Sequence, residues 1–188
     1  MFLTKIIISQ RQALSIFRKN NYDWHRFLWK SFPNENERNF LFRTDETRDK
    51  IMIFMFSKTE PVKQDIGDWE TRQFPSSFFD QNRYQFKIKV NPTYQKNGKR
   101  HSFKNEEEIN NWITKKATKS GFEIQNLSVK QIIEETFYKK NHKGKHLQAD
   151  LEGILQVTNK EKFKQTIKEG LGPAKAFGHG LLMLKPTK

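Results

Sequence analysis

The sequence predicts an α+β protein of two tandem βαββαβ units, the N-terminal one degenerate. Three observations lead there. Residues 83–188 run strand, helix, strand, strand, helix, strand. The first part begins strand, helix, strand, strand before it becomes irregular. Finally, only 35% of the 188 residues are hydrophobic while 13% are aromatic, 17 of them Phe. Two thin cores filled by large rings suit that composition better than one thick core. The expected architecture is therefore two ferredoxin-like (RRM-like) domains, spanning 1–82 and 83–188.

The elements follow in order. FLTKIIIS (2–9) is a short β-branched run and reads as a buried strand. A helical region follows, interrupted near Asn20-Asn21. Asn21 is placed to cap YDWHRFLWKSF, which Pro33 ends. NFLFRTDE and KIMIFMFSK, parted by a short polar turn, form a hairpin, and WETRQF is a candidate fourth strand. In RYQFKIKVNP the residues Tyr84, Phe86, Ile88 and Val90 alternate with polar ones, as in a strand with one buried face. TYQKNGKRHS reads as a basic loop. Asn105 and Glu108 make a capping box for the helix that Gly121 stops. FEIQNLSVKQIIEETFY and LQADLEGILQVT are long strands around the basic tip KKNHKGKH, with Gly144 expected at its apex. Thr158-Asn159 starts the helix KEKFKQTIKE, Gly170 ends it, and LLML is the last strand.

Charge narrows the function. Lys and Arg total 35 against 21 Asp and Glu, a net charge of +14. Such a chain is expected to meet a polyanion, and nucleic acid fits best. No apolar run approaches the ~20 residues that span a bilayer. The start MFLTKIIISQRQ lacks the form of a signal peptide. Without cysteine there is neither disulfide framework nor thiolate metal site. A cytoplasmic protein without membrane or small-molecule cofactor is expected.

Two motifs carry candidate chemistry. On a helix, Tyr22, His25, Arg26 and Trp29 share one side while Trp24, Phe27, Leu28 and Phe32 form the core stripe; Lys30 lies one turn beyond Arg26. An imidazole beside a phenol and cations suits RNA cleavage. It can move the proton of a 2′-hydroxyl or of a leaving 5′-oxygen, and cations stabilise the phosphoryl charge. On spacing alone an ordinary surface histidine is favoured. The second motif, GLGPAKAFGHGLLML (170–184), holds four of the nine glycines. It follows a helix and precedes a strand, the reverse of a dinucleotide-binding loop. Gly170, Gly172, Gly178 and Gly180 would bring backbone close to a phosphate chain, with Lys175 adding charge.

Lys139, Lys140, Lys143 and Lys145 at the hairpin tip, and Lys99 with Arg100 in KNGKRHS, are further candidate RNA contacts. His142 and His146 are spaced for a metal, but they read as turn residues among lysines with no carboxylate placed to help, so no metal is expected. Glu134-Glu135 should alternate faces of a strand, and there is no paired-acid or two-metal site. Phe54 and Phe56 hint at a single-strand-binding sheet without completing the RNP pattern.

Three stretches together resemble a known family. FLTKIIIS with YDWHRFLWKSFP, then FLFR, then GLGPAKAFGHGLLML are similar to the first strand, histidine helix, second strand and glycine-rich loop of the CasE family. These are the CRISPR RNA-processing endoribonucleases of the type I-E Cascade complex, in the RAMP superfamily. The resemblance implies tandem ferredoxin-like domains and, as substrate, the repeat hairpin of precursor CRISPR RNA. Cleavage would be metal-independent at the 3′ base of the stem, leaving a 2′,3′-cyclic phosphate. The enzyme would keep the mature guide RNA and join the other Cascade subunits. His25 falls at the family's catalytic histidine and Tyr22 at a tyrosine some members use. Arg26 and Lys30 fall where some members carry cations. Lys175 and the hairpin tip fall in RNA-contacting regions. The alternative is a non-catalytic RNA-binding subunit on the same fold.

Overall fold

The computed structural model describes residues 1–16, 22–139 and 142–187. The expected cap Asn21 and the tip residue Lys140 lie outside them. Strands β1 (Phe2–Ser9), β2 (Phe40–Glu46), β3 (Lys50–Ser57) and β4 (Asp68–Gln73) form an antiparallel sheet in the order β2-β3-β1-β4. Strands β5 (Arg83–Val90), β8 (Phe122–Lys139), β9 (His142–Val157) and β10 (Met183–Pro186) form a second, ordered β10-β5-β9-β8. Numbered within each half, both sheets read 4-1-3-2, the split-βαβ arrangement of the ferredoxin-like fold. The tandem expectation is borne out.

Local chemistry explains the helices. Helix α1 (Gln10–Ile16) opens on a capping box in which Ser9 Oγ accepts from the Gln12 N–H at 3.2 Å and the Ser9 N–H donates to Gln12 Oε1 at 3.0 Å. Helix α2 (Tyr22–Trp29) buries Trp24, Phe27 and Leu28, with Phe32 buried just beyond, against β1–β3. Helix α3 (Glu106–Lys119) and helix α4 (Lys160–Glu169) begin at Asn105 and Asn159, whose side chains accept from the Glu108 and Lys162 N–H groups. In the first half a 3₁₀ turn at Ser76–Asp80, after β4, leads to β5, and no α-helix lies between β3 and β4 among the described residues. That half is degenerate, as expected.

Three elements differ from the sequence reading. The basic loop after β5 is a hairpin of β6 (Thr93–Lys96) and β7 (Lys99–Ser102), turning on Asn97 and Gly98, both at positive φ (52° and 71°). An Asn-Gly pair favours such tight hairpins, and the signal was overlooked among the lysines. Gly144 is not the apex of the β8–β9 hairpin. It lies within β9 opposite Phe137, and a Cβ there would sit 2.4 Å from that ring. The strands run on beyond the expected ends because residues of the presumed loop continue the ladder: Lys139 pairs with His142 and Tyr138 with Lys143. The last strand starts at Met183, and Leu181 and Leu182 before it are buried core residues.

The halves are packed together. Leu41 and Phe56 of the first sheet belong to the same buried cluster as Trp112, Leu171 and Leu182. A polar bridge joins the sheets as well. On β2, Arg43 meets Asp45 at 2.8 Å and Asp150 of β9 at 3.2 Å, while Lys89 of β5 meets Asp45 at 3.3 Å and donates to the Thr44 carbonyl. These contacts set how α2, on the first sheet, faces the glycine loop of the second half.

Candidate active site

His25 stands on α2 with four aromatic residues of its own half around it. Its ring stacks on Tyr22 at 5.3 Å between centroids and lies 5.4 Å from Trp29 and 5.6 Å from Phe40. Phe42 is behind at 6.4 Å. The helix places Tyr22, His25 and Trp29 along one strip by their three- and four-residue spacing. The histidine is thus half-buried, off the core stripe as expected, in a wall of rings rather than in open solvent.

That environment sets its charge. Burial, followed by the nearby positive charge of Arg38, lowers the His25 pKa to about 4. The imidazole is neutral at pH 7 and able to accept a proton. Arg38 is itself half-buried, and its charge also bears on Lys175 of the glycine loop. Burial first and Arg38 second lower the Lys175 pKa. Arg38, just before β2, therefore bears both on the histidine and on a lysine from the far end of the chain. The sequence reading missed Arg38. It lies in the polar stretch ENERN, where no periodicity or motif marks it.

Arg26 and Lys30 go elsewhere. Both are exposed and line a cleft of about 410 Å³ with Ser15, Asp23, Gln64 and Asp65, on the flank of α2 rather than among the rings around His25. One residue of offset turns a helix by about 100°, which separates the Arg26–Lys30 row from the Tyr22–His25–Trp29 row. Arg26, expected on the same side as His25, lines this cleft with Lys30.

The glycine loop approaches the site through Phe177, whose ring lies 5.7 Å from Tyr22. All four glycines have positive φ, between 77° and 87°. A Cβ at Gly170 would meet Leu41 at 2.8 Å, and one at Gly180 the Leu171 carbonyl at 2.7 Å. At Gly172 it would meet Trp112 at 3.0 Å and at Gly178 Phe42 at 3.2 Å. The loop is thus folded tightly onto the protein's own core, a reason for glycine that the phosphate reading did not supply. Lys175 starts a 3₁₀ turn (Lys175–Phe177) in this loop and is half-buried.

Among the other expected RNA contacts, Lys99 and Arg100 are exposed on β7. Lys145 is exposed on β9 and pairs with Glu134. Lys139 and Lys143 lie in the paired ends of β8 and β9. His179 is fully buried, consistent with its omission from the expected catalytic set. The strand register overturns one expectation: a carboxylate does face His146. Glu135, opposite it on β8, approaches its Nε2 at 2.9 Å.

The family model for CRISPR associated proteins matches residues 1–186. The chain belongs to that family. Among curated relatives, the CRISPR-associated endoribonuclease Cse3 of Thermus thermophilus is 28% identical, covering 99% of this chain and all of the relative. The CRISPR system Cascade subunit CasE of Escherichia coli is 25% identical over the same shares. The fold superposes on the structure of CRISPR endoribonuclease Cse3 bound to a 19-nucleotide RNA with a TM-score of 0.88. There the identity is 24% and the coverage 99% of this chain and 100% of the other. The CasE resemblance read from the sequence is borne out. Among the described residues, no helix of this family member is long and apolar enough to cross a membrane.

Proposed function

We propose that this chain is a CRISPR-associated endoribonuclease that binds the repeat stem-loop of precursor CRISPR RNA. It cuts at the 3′ base of the stem without a metal ion and keeps the guide RNA as a subunit of Cascade. The observation that carries this reading is His25, half-buried, neutral at pH 7 and stacked on Tyr22, with the charge of Arg38 bearing on it and on Lys175 of the glycine loop. The endoribonuclease and Cascade roles named for the two full-length relatives support it.

The chemistry follows from those groups. The 2′-hydroxyl at the cut loses its proton to the neutral His25 imidazole, and its oxygen attacks the adjacent phosphorus. The O2′–P bond forms, the P–O5′ bond breaks, and the departing 5′-oxygen takes up a proton. The Tyr22 phenol, stacked on the imidazole, is the neighbouring donor. Arg38 and Lys175 stabilise the charge that builds on the phosphoryl oxygens in a partly dehydrated site. The products are a 2′,3′-cyclic phosphate and a free 5′-hydroxyl. Exposed Lys99, Arg100 and Lys145, with Lys139, Lys140 and Lys143 of the hairpin tip, hold the stem through its backbone, as an A-form duplex requires. Arg26 and Lys30, in their own cleft, serve flanking RNA rather than the reacting phosphate.

Repeat RNA incubated in EDTA tests the reading. Wild type is expected to cleave. His25→Ala should cleave roughly 10²–10⁴-fold more slowly while binding RNA as before, and a 2′-deoxy substitution at the cut should abolish the reaction. Cleavage that survives both changes, or stops in EDTA, contradicts the mechanism. Binding without cleavage by wild type identifies the non-catalytic alternative.

A further inference from the structure

A second histidine cluster lies outside the catalytic wall. His146 on β9 and His179 in the glycine loop are 6% and 0% exposed. Their rings meet edge to face at 5.1 Å and 88°. Glu135 of β8 joins them, its Oε2 2.9 Å from His146 Nε2. One potential ligand atom from each of the three lies within 4.8 Å of the other two.

The hydrogen bonding is incomplete in a telling way. His179 Nδ1 faces the Ala174 carbonyl at 3.3 Å. A carbonyl can only accept, so that nitrogen carries the proton and Nε2 keeps its lone pair. Yet, among the described residues, His179 Nε2 is buried and has no hydrogen-bond partner, and the same is true of His146 Nδ1. An imidazole that donates one N–H to a backbone carbonyl and turns its other nitrogen to a buried neighbour has the outer-shell arrangement of a metal ligand. A Glu–His hydrogen bond alone explains His146 Nε2 and leaves the His179 lone pair idle. Lys89, whose charge also bears on His179, is held by Asp45 and the Thr44 carbonyl, so its positive charge is partly balanced.

We propose that Glu135, His146 and His179 form a binding site for one divalent transition ion of the zinc class. Two nitrogens and one carboxylate oxygen suit zinc better than magnesium or calcium, which favour all-oxygen shells. Tetrahedral bonds of about 2.0–2.1 Å put ligand atoms about 3.3 Å apart, so the set closes by side-chain shifts of about 1 Å. The fourth position falls to water. The ion would tie the β8–β9 hairpin to the glycine loop. It would lie behind Phe177, whose ring is 5.0 Å from His146 on one side and 5.7 Å from Tyr22 on the other. This places it apart from the His25 chemistry, and the site does not depend on that reading.

The test uses metal-free full-length protein and reads binding, not cleavage. Zinc titrated against a competing chelator dye should bind at one equivalent. Cobalt should give the visible bands of a four-coordinate site. Glu135→Gln and His179→Gln should each weaken zinc at least about 10-fold, whereas His101→Ala, on the exposed β7, should bind as wild type. Should the buried variants fail to fold, histidine-selective ¹⁵N spectra of wild type decide the matter, because two of the five imidazoles should shift with zinc. No binding, binding indifferent to both Gln variants, or shifts confined to other histidines would overturn the site.

Discussion

Tyr22 of α2 and Phe177 of the glycine loop meet with their ring centroids 5.7 Å apart. This contact joins residues from opposite ends of the chain beside the proposed catalytic histidine. Tyr22 in turn stacks on His25, so the loop touches the proposed reacting group through one intervening ring.

Phe177→Ala should therefore slow single-turnover cleavage by about 10–100-fold, the scale of a small misplacement at a reacting centre. RNA affinity should change little. Equal losses in rate and affinity, measured by quench-flow and filter binding, would show that Phe177 contacts RNA instead.

Arg38 is the cation that the structure adds to the site. Arg38→Ala should lower the cleavage rate by about 10²–10³-fold, the range for one removed charge-stabilising group. It should also raise the His25 pKa from its depressed value, because a repelling positive charge is gone. Histidine NMR titration of the free enzyme reads the second effect. A changed rate with an unchanged His25 titration would mean that Arg38 acts on RNA alone.

The pH profile separates two roles for His25. As a base, the neutral imidazole is the active form, so kcat/KM should rise with pH through about 4 and stay level across neutrality. As an acid, the protonated form would be needed and kcat/KM would fall above that pH. The same pKa has a consequence for folding. The folded state holds His25 neutral below its ordinary pKa of 6.5, while the unfolded chain takes up the proton. Its contribution to stability is thus present above 6.5 and is lost as pH falls toward about 4. His25→Gln should show a shallower fall in Tm over that window.

Arg43 links the two sheets through Asp150 of β9 and pairs with Asp45 on its own strand. Burial raises the Asp150 pKa, against the lowering pull of Arg43 and Lys89. Arg43→Ala leaves these partly buried carboxylates without that partner and should cost about 1–3 kcal/mol, the scale for losing charge-assisted hydrogen bonds. Denaturant unfolding measures it. The shared cluster around Leu41 and Phe56 also bears on the 1–82 and 83–188 division, which we propose as two coupled folding units. Residues 83–188 alone should fold with exposed apolar surface and bind a dye such as ANS.

Much of this molecule could be read directly from its residues. Alternation at Tyr84, Phe86, Ile88 and Val90 specified a one-sided strand, and all four are buried. Asn105 and Asn159 marked helix starts because capping depends only on neighbours three residues away. Helical spacing put His25 beside Tyr22 and off the core stripe for the same reason. Tertiary structure alone decided what lies across from these local elements. Arg38 reaches His25, Phe177 reaches Tyr22, and Glu135 faces His146 only once sheet register and domain packing are set. The glycines of residues 170–184 show both levels. Their abundance announced an unusual backbone, but what each would strike, Leu41, Trp112, Phe42 or the Leu171 carbonyl, depends on packing between distant segments. Local sequence governs periodicity and caps; long-range burial governs which charges and rings share a site, and so the chemistry.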